Sequence, residues 1–518
     1  MSKYQEQLSP PATWPSTHFA HTGGRLNNSD AERGLYRHNE MNMSQQSVDS
    51  AFYSGSISRA QSSNVSLLPA AGNGSVDEST KTVHVPEPAV SPFKHRMILF
   101  QLWFNTYRKF FAFIVLLNLV GVIMAALDRF SYAKNHPGAL VLGNILAAIL
   151  VRNELFGRFL YLIANHGLRS WAPTYLKLAV VSILQHLGGV HSGCALSGTA
   201  WLVYNIVTII QHHTHLTVIV MGIISCTFMI ICILSAFPWV RNNHHNIFER
   251  YHRFMGWMAL AATWSFVILG NVYDYKNGKW RSDAQSLLST QEFWFSIFIT
   301  VFIFTPWVTV REVPVEVEIP SSKVAVLKFK RGIQQGLLGR IGRSAALEYH
   351  AFGIISEGKN SGCHYMVCGV QGDFTKSLVA NPPKTIWTRE LKFAGPGHAS
   401  AMFKRGIRIC TGTGIGAALS TCIQSKNWFF IWIGSDQEKT FGPTISNLIY
   451  KHIEPERMII WDTKKRGGRP DTMQLLRDTW HSFGAEVIFI TSNMRGNDEM
   501  MQGCRAAGLH AFGTLWDF

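Results

Sequence analysis

Three glycines at alternate positions, Gly412, Gly414 and Gly416, follow the apolar run GIRIC and open a small-residue segment, AALSTC, that reads as a helix. A turn of this kind, which includes Thr413, lets a backbone come close to a pyrophosphate and turns the first N–H groups of the helix toward it. The spacing is GxGxG rather than GxGxxG, so by itself the stretch fits an ordinary tight turn equally well. A second set of candidate groups is imidazole. His186 and His191 lie in LQHLGGVHSGC and His252 in NIFERYHRFMGW, all beside or within long apolar segments. A histidine inside such a segment is rare enough to be a functional candidate, with a satisfied interhelical hydrogen bond as the competing account. His212, His213, His215, His244 and His245 fall in loops, where solvated histidine is the simpler reading.

The elements that would carry the glycine turn alternate in βαβ fashion from residue 401 onward. Strand signals are GIRIC, WFFIWIG, RMIIWD, AEVIFI and HAFGTLW, with helix-like segments at 417–424, 444–452, 471–482 and 498–507 between them. That alternation predicts a parallel, doubly wound sheet with ligands outside the C-terminal strand ends. Before it, Val313, Val315, Val317 and Ile319 alternate with polar partners, and short strands are expected at 349–356 and 364–370. A small antiparallel β-domain over 311–400 and an α/β domain over 401–518 follow.

The first 310 residues divide in two. Residues 1–90 are rich in Ser, Asn, Gln and Gly and poor in aliphatics, which predicts a disordered cytosolic tail. The opening MSKYQEQLSPPATWPS has no apolar core, so no secretory leader is expected. Over 91–310, four runs free of Asp, Glu, Lys and Arg (110–127, 216–237, 254–270 and 293–310) approach the roughly 20 residues that cross a bilayer. A fifth, 178–210, is longer. A sixth, 139–165, is broken by VRNELFGR, whose Arg152, Glu154 and Arg158 would have to face the bundle interior or pair with one another. About six membrane helices are therefore expected, with modest basic bias placing both termini in the cytosol. Arg152 and Glu154 within one span also motivate a transporter reading. The chain has 518 residues and a formal net charge of +16, which suits an anionic membrane face. No Lys/Arg run with interleaved aromatics points to nucleic acid. The eight cysteines are scattered with no CxxC, which fits reduced thiols better than a disulfide framework.

An apolar helical region followed by a β-domain and a nucleotide domain resembles the ferric reductase and NADPH oxidase superfamily, and in particular fungal membrane proteins of that group associated with asexual development. The likeness runs over about 95–518 and rests on HLGGVHSGCALSG, GTGIGAALS and the C-terminal GTLWDF. It implies a multi-pass α-helical membrane domain, a β-barrel-like FAD domain and an α/β parallel-sheet NAD(P)-binding domain, in a plasma-membrane flavoprotein oxidoreductase. Electrons would pass from NADPH or NADH to FAD and on to an unidentified acceptor. YHAFGIIS resembles the family's flavin motif: His350 and Phe352 match, and Gly353 stands where a hydroxyl usually faces the flavin, with Ile354 and Ser356 beside it. Thr375 in GDFTKSL resembles the segment that follows. GRPD, with Gly468, Arg469 and Pro470, is similar to the element at the adenosine end, where an Arg suits a 2′-phosphate. Phe518 resembles the aromatic that covers the flavin until nicotinamide displaces it. TSN, with Ser492 and Asn493, replaces the family's Cys-Gly-Pro. Family haem ligands lie fourteen residues apart, and Ala200 and Phe266 stand where partners of His186 and His252 would be. The resemblance therefore implies at most one haem, held by His186 and His252. The alternative is a flavin- or nucleotide-binding membrane sensor with little turnover.

Overall fold

The computed structural model describes residues 91–281, 284–346 and 348–515. The expected 1–90 tail and Phe518 lie outside the described residues. Eight principal helices make up the first part: α1 (Thr106–Ala126), α2 (Pro137–Leu150), α3 (Glu154–Leu168), α4 (Thr174–Gln185), α5 (Gly188–Gln211), α6 (Leu216–Ser235), α7 (His245–Val272) and α8 (Gln291–Val308). Five of them, α1, α5, α6, α7 and α8, are long and apolar enough to cross a membrane. The glycines of HLGGVHSGC serve helix packing. A Cβ on Gly189 would lie 2.2 Å from the Tyr107 carbonyl oxygen, and one on Gly193 would lie 3.1 Å from Ile114 Cβ. Small residues on α5 thus let α1 approach to backbone contact. Asn118 Oδ1 accepts from Asn144 Nδ2 (3.0 Å) and Trp201 Nε1 (2.9 Å), which ties α1, α2 and α5 through one polar node.

Two expected spans do not run as read. The 139–165 segment bends by 68° between α2 and α3. Asn153 makes the bend: its Oδ1 caps α3 by accepting from the Leu155 and Phe156 amides, while Nδ2 donates to the Phe302 carbonyl of α8. The 178–210 segment breaks at His186 and Leu187, between α4 and α5. So α3 and α4 leave the bundle and form a hairpin, and Tyr161, Ala164 and Val181 enter a hydrophobic core shared with Ala399, Met402 and Leu419 of the C-terminal half. Arg152, Glu154 and Arg158 neither share a span nor pair with one another. Glu154 instead bridges Arg340 and Arg389 of the β-domain, the latter at 3.3 Å. That placement removes the ground for a transporter.

The β-domain has strands β1 (Val310–Pro314), β2 (Glu316–Ser321), β3 (Val324–Lys330), β4 (Leu337–Gly342), β5 (His350–Ile355), β6 (Cys363–Gly369), β7 (Thr385–Arg389) and β8 (Phe393–Ala394), with helix α9 (Asp373–Ala380) after β6. They form one antiparallel sheet in the order β1-β7-β4-β5-β6-β3-β2, with β8 paired to β4. Its two ends, β1 and β2, are separated in the chain by Val315 alone, so the sheet must curl back on itself. The final part is a five-stranded parallel sheet, β11-β10-β9-β12-β13, built from β9 (Gly406–Thr411), β10 (Trp428–Gly434), β11 (Met458–Asp462), β12 (Val487–Thr491) and β13 (Ala511–Phe512). Its connecting helices are α10 (Ile415–Gln424), α11 (Gln437–His452), α12 (Thr472–Phe483) and α13 (Met494–Ala506). Near-continuous apolar strands such as WFFIWIG, buried on both faces, are what a covered parallel sheet requires. All eight cysteines are free thiols.

The Glu154 side chain is 8% exposed and that of Arg389 12%. Removing one partner of a buried pair leaves an uncompensated charge, at a cost of about 3 kcal/mol. Glu154→Gln is therefore expected to lower the thermal transition of the full chain and to open the α3–α4 hairpin to protease. A variant with the parent's transition and cleavage pattern would remove Glu154 from this role.

Candidate functional site

The glycine turn lies where the sequence reading puts it, at the C-terminal end of the central strand β9 and at the start of α10. Gly412 has φ +49°, and a Cβ built there meets nothing within 4 Å, so the backbone faces open space. Gly414 is closed in: its Cβ would lie 2.5 Å from the Thr491 carbonyl oxygen at the end of β12. The Thr411 and Ser492 hydroxyls share a hydrogen bond at 2.8 Å, and Trp432 Nε1 donates to the Gly412 carbonyl at 3.0 Å. Together these contacts fix a bare turn ahead of a helix N-terminus, where backbone N–H groups and the helix dipole favour an anion. Ser492 therefore stands beside the turn. Asn493 does not offer its side chain to a ligand, because its Oδ1 caps α13 by accepting from the Gly496 amide at 2.9 Å. Gly468, Arg469 and Pro470 lie in the loop that leaves β11, at the same sheet edge. Trp461 Nε1 donates to the Gly468 carbonyl (2.9 Å) and Arg466 stacks over the Trp461 ring, while Arg469 is exposed.

The flavin-motif residues separate into two groups along β5. His350 stacks on Phe374 of α9 with ring centroids 4.2 Å apart, and Phe352 approaches the same ring at 6.2 Å. Thr375 closes the turn before α9, its Oγ1 accepting from the Gln371 and Gly372 amides. These four residues converge. Ile354 and Ser356 do not join them. Ile354 is part of the β-domain core, and Ser356 is buried, its Oγ accepting from the Ile333 amide and its carbonyl from Gln424 Nε2. Gly353 faces the opposite way, onto α10. A Cβ there would lie 2.5 Å from Ala417 N and Cα and from the Gly416 carbonyl oxygen. The hydroxyl that the resemblance would put at this position is missing, and its space is filled by the first turn of α10. The partly exposed rings of His350 and Phe352, backed by the buried Phe374 of α9, fit FAD on that side of β5, with the chain closed over the strand at Gly353.

Arg408 escaped the sequence reading. It is 3% exposed, inside the central strand of the parallel sheet. Its guanidinium donates to the Ala417 carbonyl and lies over the Phe489 ring, so it holds the α10 turn that Gly353 abuts. An Arg amid an apolar strand was the available signal. Burial holds its guanidinium below the usual arginine range.

In the helical bundle the histidine pair is not the expected one. His186 is the C-cap of α4, where its Nδ1 donates to the Ser182 carbonyl at 2.6 Å. His252 lies instead beside His191, ring centroids 6.3 Å apart, and both line a cavity of about 450 Å³. Their Nδ1 atoms donate to the Ala148 and Cys232 carbonyls, each at 3.0 Å. Each Nε2 then carries the lone pair, the tautomer a metal-ligating imidazole takes. Asn205 and Phe266, fourteen residues beyond each histidine, line the same cavity. The break at His186 and Leu187 separates His186 from α5, which carries His191, so one register gives way to the other.

Comparison with known proteins gives a consistent but distant set of likenesses. The family described as adenylate-forming reductase 03009, C-terminal domain, matches residues 397–518. Adenylate-forming reductases 03009 and 06235 of Coprinopsis cinerea are each 28% identical, over 421 and 423 residues, covering 80% of this chain and 40% of theirs. The chain thus spans about 40% of the length of these curated relatives. Among solved structures, flavohemoglobin from Malassezia yamatoensis with bound FAD and heme is 12% identical, with a TM-score of 0.34 over 73% of this chain and 98% of that one. Phthalate dioxygenase reductase is 9% identical, with a TM-score of 0.31 over 39% and 68%.

The Gly353–α10 contact yields a direct test. Gly353→Ser forces a side chain against backbone, and overpacking of this kind costs typically 1–3 kcal/mol. Its thermal transition is expected to fall below the parent's. A serine tolerated without loss would show that β5 and α10 stand farther apart than described.

Proposed function

We propose that the chain is a membrane-bound, NAD(P)H-dependent flavin oxidoreductase. The observation that carries this reading is the direct contact of the flavin-motif strand β5, at Gly353, with the first turn of α10 that follows the glycine turn. A nucleotide seated on that turn would have its reactive end at the seam between the two sheets. The curated relatives, named as reductases, support the same class.

In this reading Gly412, Thr413, Gly414 and Gly416 present backbone to the dinucleotide pyrophosphate. Arg469, at the same sheet edge, takes the adenosine 2′-phosphate, which favours NADPH over NADH. Lys464 and Lys465 are engaged by Asp436 and Glu438 and Arg466 is stacked on Trp461, whereas Arg469 is exposed with its fork available. His350 and Phe352 supply ring surface for FAD, with Phe374 packed behind His350, and the N-terminus of α9, closed by Thr375, faces its phosphates. When bound, FAD accepts two electrons as hydride and can release them singly. Arg408 and Ala417 keep α10 against β5 and exclude water from the seam. Phe518 remains assigned to cover the flavin.

Membrane embedding is supported by five long apolar helices whose outward residues, such as Leu117, Val120 and Ile123, are exposed. The plasma membrane, cytosolic termini, a role in fungal development and kinship with ferric reductases belong to the same proposal. One haem between His191 and His252, in place of the His186–His252 pair, is the metal site it includes; the acceptor is unidentified. The alternative, a low-turnover sensor, is motivated by the absent hydroxyl at Gly353 and by Ser492 and Asn493 standing in place of the Cys-Gly-Pro element.

Arg469→Ala tests the nucleotide assignment. Loss of a charge-assisted hydrogen bond worth about 1.5–3 kcal/mol predicts a roughly 10- to 150-fold rise in KM for NADPH. KM for NADH should change little. Equal effects on both nucleotides would take Arg469 out of the 2′-phosphate site.

A further inference from the structure

Away from the glycine turn, a second cavity of about 460 Å³ opens at one end of the β-domain, where α3 packs against it. Five cations line it: Arg158 from α3, Lys330 and Arg331 at the end of β3, Lys359, and Lys392 before β8. Glu390 is the one carboxylate in the same lining, and among the described residues none of the five cations forms an ion pair. The remaining walls are apolar, including Val313, Phe329 and Leu337.

His364 of β6 also lines this cavity and is 4% exposed. Its ring stacks on Phe329 with planes 11° apart, and its Nδ1 donates to the Arg331 carbonyl at 2.6 Å. Its Nε2 is buried without a hydrogen-bond partner. An orphaned polar atom of this kind costs stability unless something else meets it. The surrounding loop is held in place beforehand: Ser356 Oγ accepts from the Ile333 amide (2.9 Å), and Gly332 lies against the Gly358 and Ser361 carbonyls. Arg331 itself has φ +82°, a conformation that a folded loop must impose.

We propose that this cavity binds a phosphate monoester, held by Arg158, Arg331 and the one N–H that Lys392 keeps after donating to Thr388 Oγ1 and the Arg389 carbonyl, and meeting His364 through a hydrogen on the phosphate. With Nδ1–H spent on a carbonyl, neutral His364 presents a lone pair at Nε2, so the atom it meets must carry hydrogen. A phosphate monoester supplies one when bound as its monoanion, about a tenth of the population at pH 7 for a second pKa near 6; sulfate and carboxylate supply essentially none. Burial keeps the imidazole neutral, pulling it down to about 4. The ligand would join α3 to the β-domain, because Arg158 comes from one and Lys392 from the other; Arg158 Nη1 already reaches the Lys392 carbonyl. Its source is either a phosphomonoester lipid headgroup or a soluble phosphate.

The test is thermal unfolding of the full chain in detergent, titrated with inorganic phosphate, with sulfate, and with vesicles of phosphatidylcholine with or without phosphatidic acid. A saturable upward shift with phosphate and a smaller one with sulfate are expected. A response to phosphatidic acid vesicles alone assigns the site to a lipid, and a response to free phosphate assigns it to a soluble ligand. Lys392→Gln should weaken the response about 10-fold or more. His364→Phe should abolish it while keeping a cooperative thermal transition, because the variant loses the Nδ1–H bond to the Arg331 carbonyl but also removes the orphaned Nε2. Equal shifts with sulfate and phosphate, no shift with either phosphate source, or parent-like responses in both variants would overturn the proposal.

Discussion

Burying a carboxylate as deeply as that of Glu154 is costly without cations beside it, and the two that serve it come from strands 186 and 235 residues away. Arg340 and Arg389 reach it from adjacent strands β4 and β7. Arg389 is in turn sandwiched against the rings of Trp307 and Tyr349, at 5.0 and 4.8 Å. Because Glu154 is the first residue of α3, this cluster fixes where the chain leaves the apolar bundle and how the α3–α4 hairpin meets the sheets. Asn165 extends the tie by donating to the His398 carbonyl, and Gln185 by donating to that of Gly513.

The parallel sheet was the most legible part of the fold. Its strands are uninterrupted apolar runs bounded by helix starts such as Asp471, which caps α12, and both signals are local. The β-domain was legible as a class because period-two alternation survives wherever one face is buried. The bundle was misread at two places for one reason. Apolar length reports burial, and α3 and α4 are apolar because they bury against sheets as well as against helices. A charge placed at the break, Glu154, was taken as a membrane anomaly, while its partners were beyond any local window.

Site residues followed the same division. Gly412, Gly414 and Ser492 come together because strand ends in a parallel sheet converge by construction. Ile354, Ser356 and Asn493 were carried by the motif they sit in, but their side chains are used for core, loop and cap. His191 rather than His186 meets His252 because the chain breaks between α4 and α5 at His186 and Leu187, which leaves His186 as a helix cap and His191 inside α5, a feature that spacing alone does not reveal. Arg408 shows the converse: a buried cation in an apolar strand positions the α10 turn, and no motif contains it.

The reading as a whole requires that a nucleotide on the glycine turn reach a flavin held along β5. The most direct measurement is the visible absorption spectrum of the purified full chain, recorded before and after anaerobic addition of NADPH. The account predicts flavin bands that bleach on addition, followed by any haem band the His191–His252 pair contributes. A preparation that holds flavin which stays oxidised, or that takes up no flavin at all, would contradict it.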